Sequence, residues 1–210
     1  MNITSVIFDL NGTILSDEDE YGLAFKNILK KVGIDVAGDY PHERGIGVYA
    51  NWEKFIRNYD IRSDYSISEL SFLTQKEYLA LAPQATLTRG FVDFIQSLKH
   101  KGRKTALATS NNKVVTMQVL QRFDIGKYFD VVTTGDEVKD NKPDPEIYIL
   151  TAKKLTSEPH ECIVFEDSEA GIVSAQSAGM RVFKIGNTGT TDVTTFADFT
   201  QVKLEDIIVL

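Results

Sequence analysis

Apolar residues along this chain follow two alternating rhythms. Five short runs rich in β-branched and aromatic residues, Ile3–Phe8, Thr105–Thr109, Val131–Thr134, Cys162–Phe165 and Arg181–Ile185, are bounded by turn-forming residues and read as buried strands. Between them the apolar positions recur at helical spacing. Phe91, Phe94, Ile95 and Leu98 share one face, and Val115, Val119, Leu120 and Phe123 form a second stripe. Asp144-Pro145 supplies a cap and a first-turn proline for a helix through Leu155, and Ser168 caps a helix ending near Gly179. From the second strand onward the spacing is that of a strand–helix unit. This predicts an α/β fold, a doubly wound and mostly parallel sheet with helices on both faces.

The first two strands break that spacing. Roughly 95 residues separate them, too many for one crossover. Tyr21, Ala24, Phe25, Ile28, Leu29 and Val32 mark an amphipathic helix, with further helical patterns over Trp52–Tyr59 and Ser68–Leu81. The expectation is a helical subdomain inserted over 16–83, with a return hinge at Pro83 to Thr88. Residues 1–15 and 84–210 then form the core domain. A polar, mobile loop is expected over Gly186–Thr195.

Composition narrows the function. A chain of 210 residues, 42% of them apolar, can bury a large core. A net charge of −7 argues against a general nucleic-acid or anionic-membrane surface. The single cysteine, Cys162, excludes an intrachain disulfide and sits in an apolar strand as a core residue. No apolar run reaches the ~20 residues of a membrane span, and no basic region precedes an apolar segment as in an export signal. A cytoplasmic protein, monomeric or weakly homodimeric, is expected.

Candidate chemistry lies just past the predicted strand ends. Asp9-Leu10-Asn11-Gly12-Thr13 follows the first strand and Ser110-Asn111 the second. Lys142 lies after the third, ahead of Pro143-Asp144-Pro145, and Glu166-Asp167 follows the fourth. In an open α/β sheet such ends share one edge, where ligands bind. Each feature alone has a plain structural meaning, as a turn former, a helix cap, a surface lysine or an acidic helix start. Their joint order singles them out.

In that order they resemble the haloacid dehalogenase-like superfamily, in its β-phosphoglucomutase-like and phosphatase branch with a helical cap. The resemblance spans nearly the whole chain, and Glu166-Asp167-Ser168-Glu169-Ala170-Gly171 is close to that branch's usual wording. It implies a Rossmann-like core with the first and fourth strands adjacent. It also implies a Mg²⁺-dependent hydrolase of a small phosphorylated metabolite. Asp9 would attack phosphorus to give an aspartyl-phosphate, and Lys142 would neutralise Asp9 and the phosphate together. Ser110, Asn111 and Thr13 would hold the phosphoryl group. Mg²⁺ would be held by Asp9, Glu166, Asp167 and the Asn11 carbonyl. Phosphoryl transfer needs this set: an in-line nucleophile, a cation and fixed donors.

Position 11 departs from the family. Its phosphatases and mutases carry an acid there, which protonates the leaving oxygen and then activates the attacking group. Asn11 cannot exchange a proton, and such exchange is typically worth ~10²–10⁴ in rate. Losing one negative charge ~5 Å from bound phosphate also removes about 3 kcal/mol of repulsion at an effective dielectric near 20. The expectation is a site that binds phosphate comparatively well and turns it over slowly. The alternatives are a phosphometabolite-binding module with little turnover, and mutase, dehalogenase or phosphonate chemistry. The last needs an imine-forming cap lysine, for which Lys26 and Lys54 are available.

His42-Glu43-Arg44-Gly45-Ile46-Gly47 forms a loop in the insertion. By analogy with the family's cap, Arg44 and His42 would contact the part of the substrate that is not transferred; a solvated loop is the plain alternative. His100 ends a helix as a favourable charge, His160 has no evident partner, and Trp52 is expected in the cap core. No Ser-His-Asp set, zinc spacing or Gly-rich nucleotide loop is visible.

Overall fold

A computed structural model of the chain describes residues 3–38, 41–186 and 192–208. Six parallel strands form one sheet in the order β5-β4-β1-β6-β7-β8. They are β1 (Ser5–Phe8), β4 (Lys104–Thr109), β5 (Val131–Thr134), β6 (Cys162–Glu166), β7 (Arg181–Ile185) and β8 (Thr195–Phe196). The five longer strands coincide with the predicted runs. β8 has only two residues, too few to show a period. Residues 187–191, within the expected polar loop, lie outside the described residues.

Alternation along each strand splits the core in two. Val6, Phe8, Leu107, Ile163, Phe165 and Phe183 face α4 (Phe91–His100) and α5 (Lys113–Arg122). Ile7, Ala106, Ala108, Val164 and Val182 face α6 (Glu146–Leu155) and α7 (Glu169–Ser177). Covering both faces is what lets these strands be apolar throughout. Cys162 is buried in β6, as expected, and burial pushes its thiol up to about 12.

Helix starts show which caps operate. Ser168 accepts the Gly171 N–H at 3.0 Å, as predicted. At α5 the cap is Asn112, which accepts from Val115 N–H, so Ser110 and Asn111 are spared that task. α6 begins at Glu146 with Pro145 in the cap position, one residue later than an Asp144 cap implies. Asp144 still accepts the Glu146 N–H, at 2.9 Å.

The segment between β1 and β4 holds α1 (Glu18–Lys31), α2 (Val48–Tyr59) and α3 (Ile67–Leu81). α3 packs against both others. Tyr21, Ala24, Phe25, Ile28 and Leu29 are buried along α1, and Trp52 is fully buried with its indole N–H on Thr74 Oγ1 at 2.9 Å. The chain enters and leaves this helical insertion through a short antiparallel ribbon that the sequence reading lacks. β2 (Leu15–Ser16) pairs with β3 (Thr86–Leu87), Leu15 opposite Leu87 and Ser16 opposite Thr86.

Phe8, the last residue of the central strand, is ringed by Phe91, Phe94, Phe129, Phe165 and Phe199 at centroid distances of 5.4–6.4 Å. The backbone that aims Asp9 is therefore anchored by one aromatic cluster. Phe8→Ala is expected to lower unfolding free energy by ~3–5 kcal/mol, measured by urea titration. A loss under about 1 kcal/mol would mean the cluster repacks around the gap.

Candidate active site

β1 lies between β4 and β6, with Phe8 in register with Leu107 on one side and Phe165 on the other. The next residue outward on β1 is Asp9, and on β6 it is Glu166. The Asp9 N–H still donates to Phe165 O at 3.0 Å, so the ladder continues into the site. Asp9, Glu166 and Asp167 are all buried, and each can place one carboxylate oxygen within 4.8 Å of the others.

Lys142 joins them. Its Nζ donates to Asp9 Oδ1 and to Glu166 Oε1, both at 2.6 Å, and to Ala108 O at 3.3 Å. It also lies 5.0 Å from the centre of the Tyr148 ring. Burial by itself would push the ammonium down; the two carboxylates outweigh that and hold it above its ordinary range. Burial pushes Asp9 well above the usual carboxylate range, with Lys142 opposing and Glu166 adding to the rise. Asp167 is raised for the same first reason, and Glu166 and Asp9 repel its charge further. For Glu166 burial also acts upward, but Lys142 and hydrogen bonds from Ser168 and Tyr148 bring it below its ordinary value.

The four groups differ in how fully they are engaged. Glu166 Oε1 accepts from Lys142 and from Tyr148 OH at 3.0 Å, while Oε2 accepts from Asp167 N, Ser168 N and Ser168 Oγ. Asp167 Oδ1 accepts from Thr13 Oγ1 at 3.2 Å, and its Oδ2 is buried without a hydrogen-bond partner. Three carboxylates around one ammonium leave a formal excess of two negative charges when all are ionised. A divalent cation taking oxygens would offset that excess, and hard oxygen donors suit Mg²⁺. The donor set fits such an ion, with Asp167 Oδ2 the buried oxygen left for it.

Two glycines make the close approach possible. A Cβ on Gly12, whose φ is +74°, would lie 2.3 Å from Asp167 Oδ2, and one on Gly171 would lie 1.8 Å from Glu166 Oε1. Both positions exclude side chains where the acids converge.

Asn11 is tied into a network that sequence reasoning missed. Its Nδ2 donates to Asp17 Oδ2 at 2.5 Å and to Tyr78 OH at 3.1 Å, and its Oδ1 accepts from Asn111 Nδ2 at 2.7 Å. Asn111 Oδ1 in turn accepts from Tyr21 OH at 2.7 Å. Asp17 is fully buried and also accepts from Tyr78 OH and Gly12 N–H. Burial raises it to about 7, against hydrogen bonds from Tyr78 and Asn11 that lower it. In the sequence Asp17 is the first of four acids, Asp17-Glu18-Asp19-Glu20, a charge run that suits a helix N-terminus and does not mark Asp17 as buried. Its partner Tyr78 lies on another helix, and no local pattern links the two.

The remaining sequence candidates divide. Ser110, Asn111, His42 and Arg44 line a cavity of about 50 Å³ together with Asp9 and Asn11. Thr13 is fully buried and holds Asp167 without lining that cavity. Ser110 Oγ donates to Gly45 O at 2.6 Å, tying the core to the insertion loop. That loop is clamped by Asn51, which donates to Glu43 O and Gly47 O, both at 2.9 Å, and accepts from Glu43 N–H. Arg44 Nε lies 3.0 Å from Glu18 Oε2, and its Nη1 lies 4.0 Å from Asp167 Oδ2. His42 Nε2 lies 3.3 Å from the same Glu18 oxygen. A larger groove of about 660 Å³, bordered by Ser110, Lys142, Asn112 and Phe72, adjoins from outside. No helix among the described residues is long and apolar enough to cross a membrane.

Comparison with known proteins agrees with this geometry. The model of a family described as haloacid dehalogenase-like hydrolase matches residues 6–185. A phosphorylated carbohydrates phosphatase of Thermotoga maritima is 33% identical over 177 residues, 84% of this chain and 82% of its own length. The protein CbbY of Rhodobacter capsulatus is 30% identical over 192 residues, 87% of this chain and 85% of its own. Among solved structures, a β-phosphoglucomutase from Clostridium difficile is 26% identical with a TM-score of 0.85, covering 98% of this chain and 95% of its own.

Lys142→Met leaves Asp9 and Glu166 facing each other without a counter-charge. Unfolding free energy is expected to fall by ~3–5 kcal/mol, read by chemical denaturation. A change within error would remove Lys142 from any structural role.

Proposed function

The chain belongs to the haloacid dehalogenase-like hydrolases, and from that footing we propose that it hydrolyses a small phosphorylated metabolite through an aspartyl-phosphate on Asp9. The observation that carries the reading is the buried Asp9 carboxylate at the end of the central strand, 2.6 Å from a lysine shared with Glu166. The similarity to a phosphatase of phosphorylated carbohydrates supports a sugar-phosphate type of substrate. Lys142 would neutralise Asp9 and the incoming phosphoryl group, and Ser110 would turn its hydroxyl from Gly45 O to a phosphoryl oxygen. Asp9, Asp167 and the Asn11 carbonyl, with Glu166 behind them, would hold Mg²⁺. When bound, that ion neutralises phosphoryl oxygens as charge redistributes. The helical insertion over 16–83 would act as a cap, with His42 and Arg44 meeting the non-transferred part of the substrate and excluding bulk water.

Mutase chemistry is less favoured, because Asn11 cannot exchange protons with a second hydroxyl. Phosphonate chemistry lacks support, since neither Lys26 nor Lys54 is among the cavity-lining residues and Lys54 pairs with Glu43. A binding module with little turnover is the second reading. It is favoured by Asn11 itself, whose amide is bonded on both sides.

A metabolite panel assayed with and without Mg²⁺ should release phosphate from at least one sugar phosphate, only with the ion. Asp9→Asn should abolish release and any hydroxylamine-labile phosphoryl label. Saturable phosphate binding without release from any substrate would replace this reading with the binding module.

Magnesium should also raise the thermal unfolding midpoint of the wild type in a concentration-dependent manner, and Asp167→Asn should remove that gain. An equal gain in the variant would assign the ion to other residues.

Asn11→Asp is the direct test of slow turnover, and Asp17 changes its design. A carboxyl at position 11 would face Asp17 at the 2.5 Å now spanned by a hydrogen bond, a repulsion of ~7 kcal/mol at an effective dielectric near 20 if both ionised. With Asp17 already raised to about 7 by burial, the two would instead hold one proton between them, which ties up the new acid. Asn11→Asp alone should therefore be destabilised. Paired with Asp17→Asn it should turn over at least ~10-fold faster than wild type. Equal or lower steady-state rates in the paired variant would count against the missing acid as the brake.

A further inference from the structure

The phosphatase reading leaves a gap at the leaving oxygen. An alkoxide leaves slowly unless it is protonated, and Asn11 has no proton to exchange. Asp17, the buried acid beside Asn11, is spent on Asn11, Gly12 and Tyr78 and does not line the cavity. The cavity is, however, lined from the insertion side by two titratable groups in contact, His42 and Glu18.

Their setting is that of a built pair. The His42 side chain is 6% exposed and that of Glu18 15%. The imidazole is stacked on Phe25 at 4.9 Å between ring centres, and Tyr21 lies 6.3 Å away. Nε2 lies 3.3 Å from Glu18 Oε2, an ion-pair contact shared with Arg44 Nε at 3.0 Å. Neither approach has hydrogen-bond geometry, and Glu18 Oε2 and His42 Nδ1 are both buried without a hydrogen-bond partner among the described residues. A carboxylate close to one ring nitrogen favours a proton there, and a small rotation of either side chain would close the pair into the hydrogen bond that orients a histidine for acid and base work. The second ring nitrogen, Nδ1, has no partner among the described residues, and His42 lines the same cavity as Asp9.

We propose that His42, oriented by Glu18, performs the proton exchange that Asn11 cannot. The proposal rests on the phosphatase reading above. In the first step an Asp9 oxygen bonds to phosphorus as the bond from phosphorus to the leaving oxygen breaks, and that oxygen takes the Nδ1 proton of His42. In the second, water attacks phosphorus, the bond from phosphorus to Asp9 breaks, and the proton lost by the water returns to His42. Glu18 is a positioning residue for both steps.

Leaving-group dependence tests this. Phosphorylation of Asp9 is followed by rapid quench with two substrates, the best hexose phosphate of the panel and 4-nitrophenyl phosphate, whose leaving group departs without an acid. His42→Asn is expected to slow the first substrate at least ~30-fold and the second less than ~3-fold, within what an acid supplies. Glu18→Gln should show the same bias with smaller losses. In an Asn11→Asp/Asp17→Asn background, His42→Asn should cost far less, because the acid has been restored at position 11. Equal losses on both substrates, or none on either, would overturn the assignment while leaving the phosphatase reading intact. A wild-type chain that phosphorylates Asp9 with neither substrate would overturn both. Thermal unfolding of each variant separates loss of fold from loss of exchange.

Discussion

The site is organised around one buried ammonium. Lys142 Nζ reaches Asp9 and Glu166 at equal distance, and each group would be costly to bury alone. Charges removed from water persist only where partners and hydrogen bonds replace the lost solvation. Glu166 supplies that condition, because five protein donors engage its two oxygens. The acid on β6 thus fixes the lysine, and the lysine fixes Asp9. Asp167 keeps one oxygen without a hydrogen-bond donor, faced by Arg44 Nη1 at 4.0 Å.

This arrangement needs a rigid frame. Parallel pairing of β1 and β6 fixes the spacing of Asp9 and Glu166 through backbone hydrogen bonds. The aromatic cluster around Phe8 prevents the strand end from shifting. Gly12 and Gly171 then let the acids approach more closely than any side chain at those positions would permit. The helical insertion meets this frame through polar contacts: Ser110 on Gly45, Arg44 beside Asp167, and Tyr21 and Tyr78 on the Asn111–Asn11–Asp17 chain. Such contacts are directional and satisfy buried polar groups, so a small displacement breaks several of them together.

Much of this was legible in the sequence, because two of its signals are strong. Strands of four or more apolar residues declare themselves, and a doubly wound order brings their ends to one edge. Asp9, Lys142 and Glu166-Asp167 could therefore be placed together before any coordinate was known. The two-residue strands β2, β3 and β8 were not legible, since they carry no period. Nor was the network around Asp17, which depends on Tyr78 reaching across from α3; a pairing 61 residues apart in sequence leaves no local trace. Thr13 and Asn111, read as phosphate contacts, have partners in the protein that the sequence did not show, Asp167 in one case and Asn11 and Tyr21 in the other. Residue type indicates a donor and not its destination.

The ribbon of Leu15–Ser16 and Thr86–Leu87 has an architectural corollary. Because the two strands lie side by side, the whole helical unit is suspended from neighbouring attachment points, the geometry in which insertions are best tolerated. A different module of any size could be spliced there without lengthening a core connection or disturbing the register of β1. The sheet edge and the helical unit above it can then diversify separately, one changing while the other keeps its register.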